Sequence, residues 1–270
     1  MLPQNLKKEK EFFSKAKELV FNFLSSFEQN SMAIKYKNMG GAILDPVTSA
    51  DIEIEKILVK EIKNRFPNDN ILAEESSSGL EMDTKKRTWI IDPICGTTNF
   101  SRRINNFCTN IALAKDGQLI AACVLDHARN ELIWSIGNNK VYVNNSLTKD
   151  IEQSIPVIEV DLGSAYYNQD KKLKRKYSNF LYNMLTETNF LPVSHNTSQS
   201  FAYTAIGKID GYFCASPHIW DVAAANLLIL QSGGTISDIS GKPWTLNSES
   251  VIAARDKNIH AKLLYLYLNS

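Results

Sequence analysis

The sequence predicts a mixed α/β (α+β) fold, and three patterns carry that reading. Apolar residues recur at helical spacing near the N-terminus. Residues 107–143 hold four consecutive strand-like runs separated by turn signals. Beyond about residue 145, short strands alternate with helical stretches. The 270 residues allow one large domain or two tightly packed halves, each able to bury a core.

The first helix is expected over 5–28, where Phe12, Phe13, Ala16, Leu19, Val20, Phe23 and Leu24 form an apolar stripe between lysines. Residues 29–46 read as looser chain, with Gly40-Gly41 as a turn. A second helix starts near Thr48-Ser49, a suitable N-cap, with Asp51 and Glu53 in the first turn, where acids are favoured. Ile54, Ile57, Leu58, Ile62 and Phe66 supply its buried side, and Pro67 stops it. Ile71–Ala73 is a short strand or extended piece ending in Glu74-Glu75-Ser76, and a polar loop with Gly79 follows.

Trp89, Ile90 and Ile91 form the next strand. Asp92-Pro93 is expected to end it, because proline fixes its own φ and restricts the residue before it. Gly96 then permits close backbone approach, and Thr97, Thr98 and Asn99 add polar groups to a tight turn. Strands at 107–114, 118–126, 131–136 and 140–143 follow as an antiparallel meander, with turns at Asp116-Gly117 and Arg129-Asn130. Ile155–Leu162 reads as a strand, Lys171–Thr188 and 198–207 as helices, and Gly211–Cys214 as a strand. Asp221–Gln231 is a strongly apolar helix closed by Gly233-Gly234. Strands near 235–239 and 250–254 precede a last helix at about 256–268. No repeat or linker-like tract interrupts the chain, so an N-terminal half (1–145) and a C-terminal half (146–270) are expected to pack as one unit.

The composition, 44% hydrophobic and 22% charged, is that of a soluble globular chain. A net charge of +1 provides no global field toward nucleic acid or acidic membranes, so direct nucleic-acid binding is not expected. No apolar run approaches the ~20 residues of a membrane span, and the first residues lack the apolar core of a signal peptide. Cys95, Cys108, Cys123 and Cys214 form no CxxC pair, which points to a reducing cytoplasm and away from a disulfide framework or structural zinc.

Four acids, Asp51, Glu74, Asp92 and Asp221, stand at element ends beside sharply apolar stretches, where a rigid scaffold presents ligands. Taken singly, Asp51 and Asp221 read as helix-start acids and Glu74-Glu75 as a solvated loop. Asp92 is the least bland, because an Asp-Pro after a buried strand is followed by Gly-Thr-Thr-Asn. An acid there, beside a Gly-Thr turn, suits a hard cation and a phosphate.

Together Asp45-Pro-Val-Thr-Ser-Ala-Asp51, Ile71-Leu-Ala-Glu-Glu-Ser76, Trp89–Phe100, and Trp220-Asp221-Val-Ala-Ala225 with Gly233-Gly234 resemble the inositol monophosphatase family in order and spacing over nearly the whole chain. The resemblance implies an αβαβα layered sandwich, as in the inositol monophosphatase/fructose-1,6-bisphosphatase type, and a Mg²⁺-dependent phosphomonoesterase with two or three ions. It implies a first metal on Glu74, Asp92 and the Ile94 carbonyl, and a second on Asp92, residue 95 and Asp221. Asp51 is then near a weaker third ion. Thr97 works with Glu74 to activate water, and the Gly96 and Thr97 amides cradle phosphate. Two divalent ions roughly 3.5–4 Å apart would supply both a nucleophile and charge neutralisation, and Mg²⁺ seeks such oxygen ligands.

The chain departs from the family at Cys95, where the family has aspartate. Thiolate is a soft ligand, good for zinc and poor for Mg²⁺. The second site is therefore expected to be weakened or lost, with a change of preference toward Mn²⁺ or Zn²⁺ as the alternative. At the substrate end, Cys214 replaces a usual glutamate, and His195-Asn196-Thr197 replaces a common Gly-Ser-Ala. Gly163 and Ser164 match a family position at the pocket edge. His195, Thr197 and Cys214 are thus substrate-side candidates, although His195 also reads as a satisfied structural histidine and Cys214 as a small buried hydrophobe.

The expected function is hydrolysis of a small phosphorylated alcohol, by resemblance myo-inositol monophosphate, in a homodimer. One alternative is a family member impaired in catalysis that acts by binding a partner, including the transcription machinery with which some bacterial relatives are linked. Another is a phosphatase of a small bisphosphate such as fructose 1,6-bisphosphate or adenosine 3′,5′-bisphosphate. Gly-Thr-Thr-Asn-Phe after residue 95 favours the inositol branch over the nucleotide branch.

Overall fold

A computed structural model describes residues 6–28, 32–38, 44–77, 86–148, 151, 155–195 and 197–270. The turns expected at Gly40-Gly41 and Gly79, and residue Asn196, lie outside the described residues, as does the side chain of Ser164.

Helices α1 (Lys7–Ser26) and α2 (Ser49–Arg65) flank a two-stranded antiparallel hairpin, β1 (Ile34–Asn38) and β2 (Leu44–Thr48). Then come β3 (Asn70–Ala73), β4 (Thr88–Cys95) and the single-turn α3 (Thr97–Ser101). The meander is β5 (Cys108–Lys115), β6 (Gln118–Asp126), β7 (Glu131–Ser135), β8 (Tyr142–Val143) and β9 (Ser146–Leu147). The remaining chain forms β10 (Val157–Val160), α4 (Leu162–Tyr167), α5 (Lys171–Glu187), β11 (Leu191–Val193), α6 (Gln199–Ala205), β12 (Gly211–Cys214), α7 (Ile219–Gln231), β13 (Thr235–Ser237), β14 (Val251–Ala254) and α8 (Lys257–Leu268). No helix among the described residues is long and apolar enough to cross a membrane.

Strands β3 to β9 make a seven-stranded sheet in chain order, parallel only between β3 and β4. The second sheet has the order β11-β10-β12-β14-β13, with β10 parallel to both β11 and β12. Side chains alternate between faces along a strand, and β4 shows what that does. Trp89 and Ile91 join the core under α1 and α2, with Phe12, Phe13, Ile54 and Leu58. Ile90 points the other way, into a core shared with Ala202 of α6, Leu228 of α7 and Tyr212 and Ala253 of the second sheet. The far face of that sheet presents Ile158, Phe213 and Ile252 to Phe180 and Met184 of α5 and Leu263 of α8. The two outer cores and the middle one, which encloses the α6–α7 layer, thus hold together five layers, helix–sheet–helix–sheet–helix, which is the expected αβαβα sandwich.

Several boundaries differ from the sequence reading. Strand β4 does not end at Asp92-Pro93 but runs on to Cys95, through a register shift against β5 between those residues. A bulge leaves one residue unpaired, so proline's missing N–H costs no ladder bond there. The strand expected over Ile155–Leu162 shrinks to Val157–Val160, because Leu162–Tyr167 turns into a helix. The last strand of the meander is the small hairpin β8–β9, which carries the first sheet to residue 147. β1, β2, β11 and α3 are additional elements within stretches read as loop or turn.

Candidate active site

Where β4 leaves its bulge, Gly96 adopts φ 94°, a left-handed conformation that favours glycine. A Cβ there would come within 3.2 Å of the Asn106 carbonyl oxygen and of Thr197 Cβ. Gly96 is then the N-cap of α3. The bulge and this turn set Asp92, the Ile94 carbonyl, Cys95, Gly96 and Thr97 along one wall of a cleft. Glu74, at the end of β3, and Asp221, in the first turn of α7, join them, as do Gly163 and Thr197. Asp45, Asp161, Tyr167, Ser198, His218 and Trp220 complete much of the lining.

The acids are crowded. One ligand atom each from Asp92, Cys95 and Asp221 lies within 4.8 Å of the others. Asp92 is 1% exposed, and its Oδ1 has no hydrogen-bond partner. Burial, then the neighbouring Cys95, Glu74 and Asp221, raises the Asp92 carboxyl well above its ordinary range. Glu74 is pushed to about 8, chiefly by burial, with Asp221, Glu75 and Asp51 adding to it against the opposing pull of Lys37. Asp221 is pushed to about 7, again chiefly by burial, although its Oδ2 accepts a hydrogen bond from His218 N at 2.8 Å. Buried carboxylates of this kind need a cation, and an orphaned buried oxygen shows where one fits. The oxygen donors of Glu74, Asp92 and Ile94 suit a hard ion such as Mg²⁺. The Cys95 sulfur does not.

Lys37 reaches the same acids from β1, 3.3 Å from Glu74 and 2.8 Å from Glu75. Burial works against its charge, yet the two carboxylates outweigh burial and hold Lys37 above its usual range. It partly compensates the acidic end of the cleft.

Asp51 is fully buried and does not line the cleft. Its Oδ2 accepts from Thr48 N at 2.9 Å, closing a capping box at the start of α2. Its Oδ1 faces Thr97 Oγ1 at 3.0 Å. Thr97 Oγ1 also lies 2.9 Å from the Ile94 carbonyl. The carboxylate that meets the Thr97 hydroxyl directly is Asp51, and Glu74, expected to activate a water together with Thr97, lines the same cleft. Burial raises Asp51 first, and the Thr48 and Thr97 hydrogen bonds oppose that.

Cys95 is held from two sides. Its Cα pairs in register with Cys108 of β5, and Ser198 donates to its sulfur from both N (3.1 Å) and Oγ (2.6 Å). A hydrogen bond with the Cys108 thiol, then burial, raises the Cys95 thiol well above its usual range.

The substrate-side candidates divide. Thr197 and Gly163 line the cleft. His195 and Cys214 do not. The His195 ring is engaged by the buried Glu159, with Nδ1 2.6 Å from Oε2, and its backbone N donates to Oε1 at 2.9 Å. Its carbonyl accepts from Asn99 and Asn106, so it ties loops together. Cys214 is 1% exposed, and its thiol donates to Asp161. The sequence reading assigned no role to Lys37, Asp161 or Ser198. Glu74 beside Lys37, Cys214 beside Asp161 and Cys95 beside Ser198 are each dozens of residues away in sequence, and no local pattern marks those contacts.

Residues 6–268 match the model of the inositol monophosphatase family. The chain belongs to that family. An inositol monophosphatase of Dictyostelium discoideum is 32% identical over 258 residues, covering 93% of this chain and 92% of the relative. The Nus factor SuhB of Escherichia coli K12 is 29% identical over 224 residues, 81% of each chain. Among solved structures, an inositol monophosphatase (IMPase) of Thermotoga maritima superposes with a TM-score of 0.77 over 98% of this chain and 96% of that one, at 24% identity. The extragenic suppressor protein SuhB of Bartonella henselae gives 0.78 over 94% of each, at 25% identity. The family's membership makes phosphatase chemistry the frame for the cleft.

Proposed function

We propose that the protein is a Mg²⁺-dependent phosphomonoesterase acting on a small phosphorylated alcohol, with myo-inositol monophosphate as the first candidate. The observation that carries this is the convergence of Glu74, Asp92 and Asp221 on one cleft wall, beside the Thr97–Asp51 pair. Glu74, Asp92 and the Ile94 carbonyl would hold the first ion. A divalent ion there lowers the pKa of a bound water and neutralises phosphate oxygens. Thr97 Oγ1 is placed to take a proton from the attacking water as it passes its own to Asp51 Oδ1, and burial makes Asp51 a better acceptor than a surface aspartate. The amides of Gly96 and Thr97 open a helical turn and have no intrahelical partner, which suits phosphate oxygens. Gly163 and Thr197 border the alcohol end. By the same resemblance the protein works as a homodimer, and its free cysteines favour a reducing cytoplasm.

The test is turnover by the purified protein of inositol monophosphate, sugar phosphates, fructose 1,6-bisphosphate and adenosine 3′,5′-bisphosphate, with Mg²⁺, Mn²⁺ or Zn²⁺. Release of phosphate that requires metal and disappears in Asp92→Asn is expected. No turnover above a metal-free control would reject the reading.

Cys95 supports a second reading, a binding role of the kind that the name Nus factor gives to the SuhB relatives. Under it, Cys95→Asp restores a phosphatase activity that the parent lacks. Full activity in the unmodified protein excludes a purely binding role.

A further inference from the structure

We propose that the position between Asp92, Cys95 and Asp221 is a mixed oxygen–sulfur site for a thiophilic divalent ion of the zinc class. It stands beside the hard Mg²⁺ position of Glu74, Asp92 and Ile94, which rests on the phosphatase reading above. The centre is then heterometallic, with a different preference at each position.

Four observations carry this. The three donor atoms lie within 4.8 Å of one another, so side-chain shifts of about 1 Å would bring them onto one ion at about 2.0 Å to oxygen and about 2.3 Å to sulfur. Asp92 Oδ1, on a carboxylate that is 1% exposed, lacks any partner. The Cys95 sulfur accepts two hydrogen bonds, from Ser198 N at 3.1 Å and Ser198 Oγ at 2.6 Å. Asn110 Nδ2 donates to that same Ser198 Oγ at 2.7 Å, which leaves the hydroxyl proton for the sulfur. Such an outer shell supports a metal-bound thiolate. It places donors where a cysteine kept only for packing needs none.

The coordination count agrees. Three protein ligands with Cys95 and Asp221 facing the cleft leave a fourth position open to water or a substrate oxygen. That is the pattern of catalytic zinc, whereas structural zinc is closed by four protein ligands. Mg²⁺ demands near-octahedral oxygen ligation and gains little from sulfur. Cys108, the neighbouring thiol that shares a hydrogen bond with Cys95, is fully buried and also contacts Asn110 Oδ1 (3.5 Å) and Thr197 Oγ1 (3.7 Å), so it does not reach the cleft.

Co²⁺ added to the metal-free full-length protein reads the sulfur directly, because cobalt–thiolate bonding gives a near-ultraviolet charge-transfer absorption that oxygen ligation lacks. The band is expected to saturate at one ion per chain, to vanish on adding Zn²⁺ and to survive a large excess of Mg²⁺. Cys95→Ser and Cys95→Asp abolish it, and Cys108→Ser retains it. An absent band, one that survives loss of Cys95, or one displaced by Mg²⁺ overturns the proposal. No substrate is present, so an inactive protein that shows the band loses the phosphatase reading alone. Mg²⁺-dependent turnover without the band removes the sulfur site alone.

Discussion

The thiol of Cys214 donates to Asp161 Oδ2 at 2.9 Å, and it is Asp161 that faces the cleft. The other carboxylate oxygen of Asp161 accepts from Gly163 N at 2.9 Å. A carboxylate thus stands at the alcohol end even though position 214 carries sulfur. Asp161→Ala is expected to raise KM for a polyol phosphate about tenfold or more, from loss of a hydrogen bond to a charged group worth roughly 1.5–3 kcal/mol. Cys214→Ala should change KM by no more than about threefold, since its thiol is a weak donor and does not line the cleft. Steady-state kinetics of the two variants check this, and an unchanged KM in Asp161→Ala removes Asp161 from substrate binding.

Asp92→Asn should abolish turnover yet leave the metal-free protein as stable as the parent, or more so. The substitution removes a buried carboxyl whose ionisation burial, Cys95, Glu74 and Asp221 all oppose, and active sites commonly hold such unfavourable groups. Thermal melts without metal test the stability. Melts with Mg²⁺ should show a rise of a few degrees in the parent, by mass action on the folded state, and little or none in the variant. A large fall in the variant's metal-free Tm contradicts the argument.

Glu74 titrates at about 8 in the folded chain. A carboxyl raised above its unfolded value contributes stability that is complete below the unfolded pKa and is lost as pH rises through the folded one. The metal-free protein should therefore lose stability from about pH 4.5 to 8, and Mg²⁺ should flatten the loss. Denaturant midpoints across that window, with and without the ion, provide the measurement. Glu74→Gln should show the flatter profile without metal.

His127 predicts the opposite slope. Its ring lies 5.0 Å from Phe107 and 5.1 Å from Phe21, and Nε2 is 2.9 Å from Thr109 Oγ1. Burial lowers it to about 3, against the weaker pull of Asp126. As pH falls from 6.5 toward 3, the unfolded chain takes up a proton that the folded chain refuses, costing about 1.4 kcal/mol per pH unit at most. His127→Gln, compared with the parent over that range, isolates the effect. Parallel stability curves would reject it.

The elements with a strong period were legible in the chain. The stripe of α1, the capped start of α2 and the hairpin turns of β5 to β7 carry their instructions locally. Hairpin β1–β2 does not, because Ile34-Lys-Tyr-Lys-Asn is mostly exposed and Pro46 interrupts its partner strand. The extension of β4 past Pro93 depends on β5 supplying a bulged register. At the site, Glu74, Asp92 and Asp221 were visible as acids at the ends of apolar runs. Lys37 beside Glu74 and Ser198 beside Cys95 arise only from folding, as does the Asp51–Thr97 contact. His195 was visible as a candidate but is claimed by Glu159, a buried carboxylate whose need for a partner no sequence pattern reveals.

The bulge in β4 has a consequence for how this protein can be altered. Asp92, Ile94 and Cys95 belong to a strand that separates two hydrophobic cores, so the ion-holding end has no independent flexibility to spend. Asp161 and Gly163, which also line the cleft, lie outside the strands. Substrate preference can drift there by loop exchange while the metal end stays fixed, and an engineer seeking a new alcohol should leave β4 untouched. Heating should silence the ion-holding end only when both cores melt, so inactivation and global unfolding should share one transition.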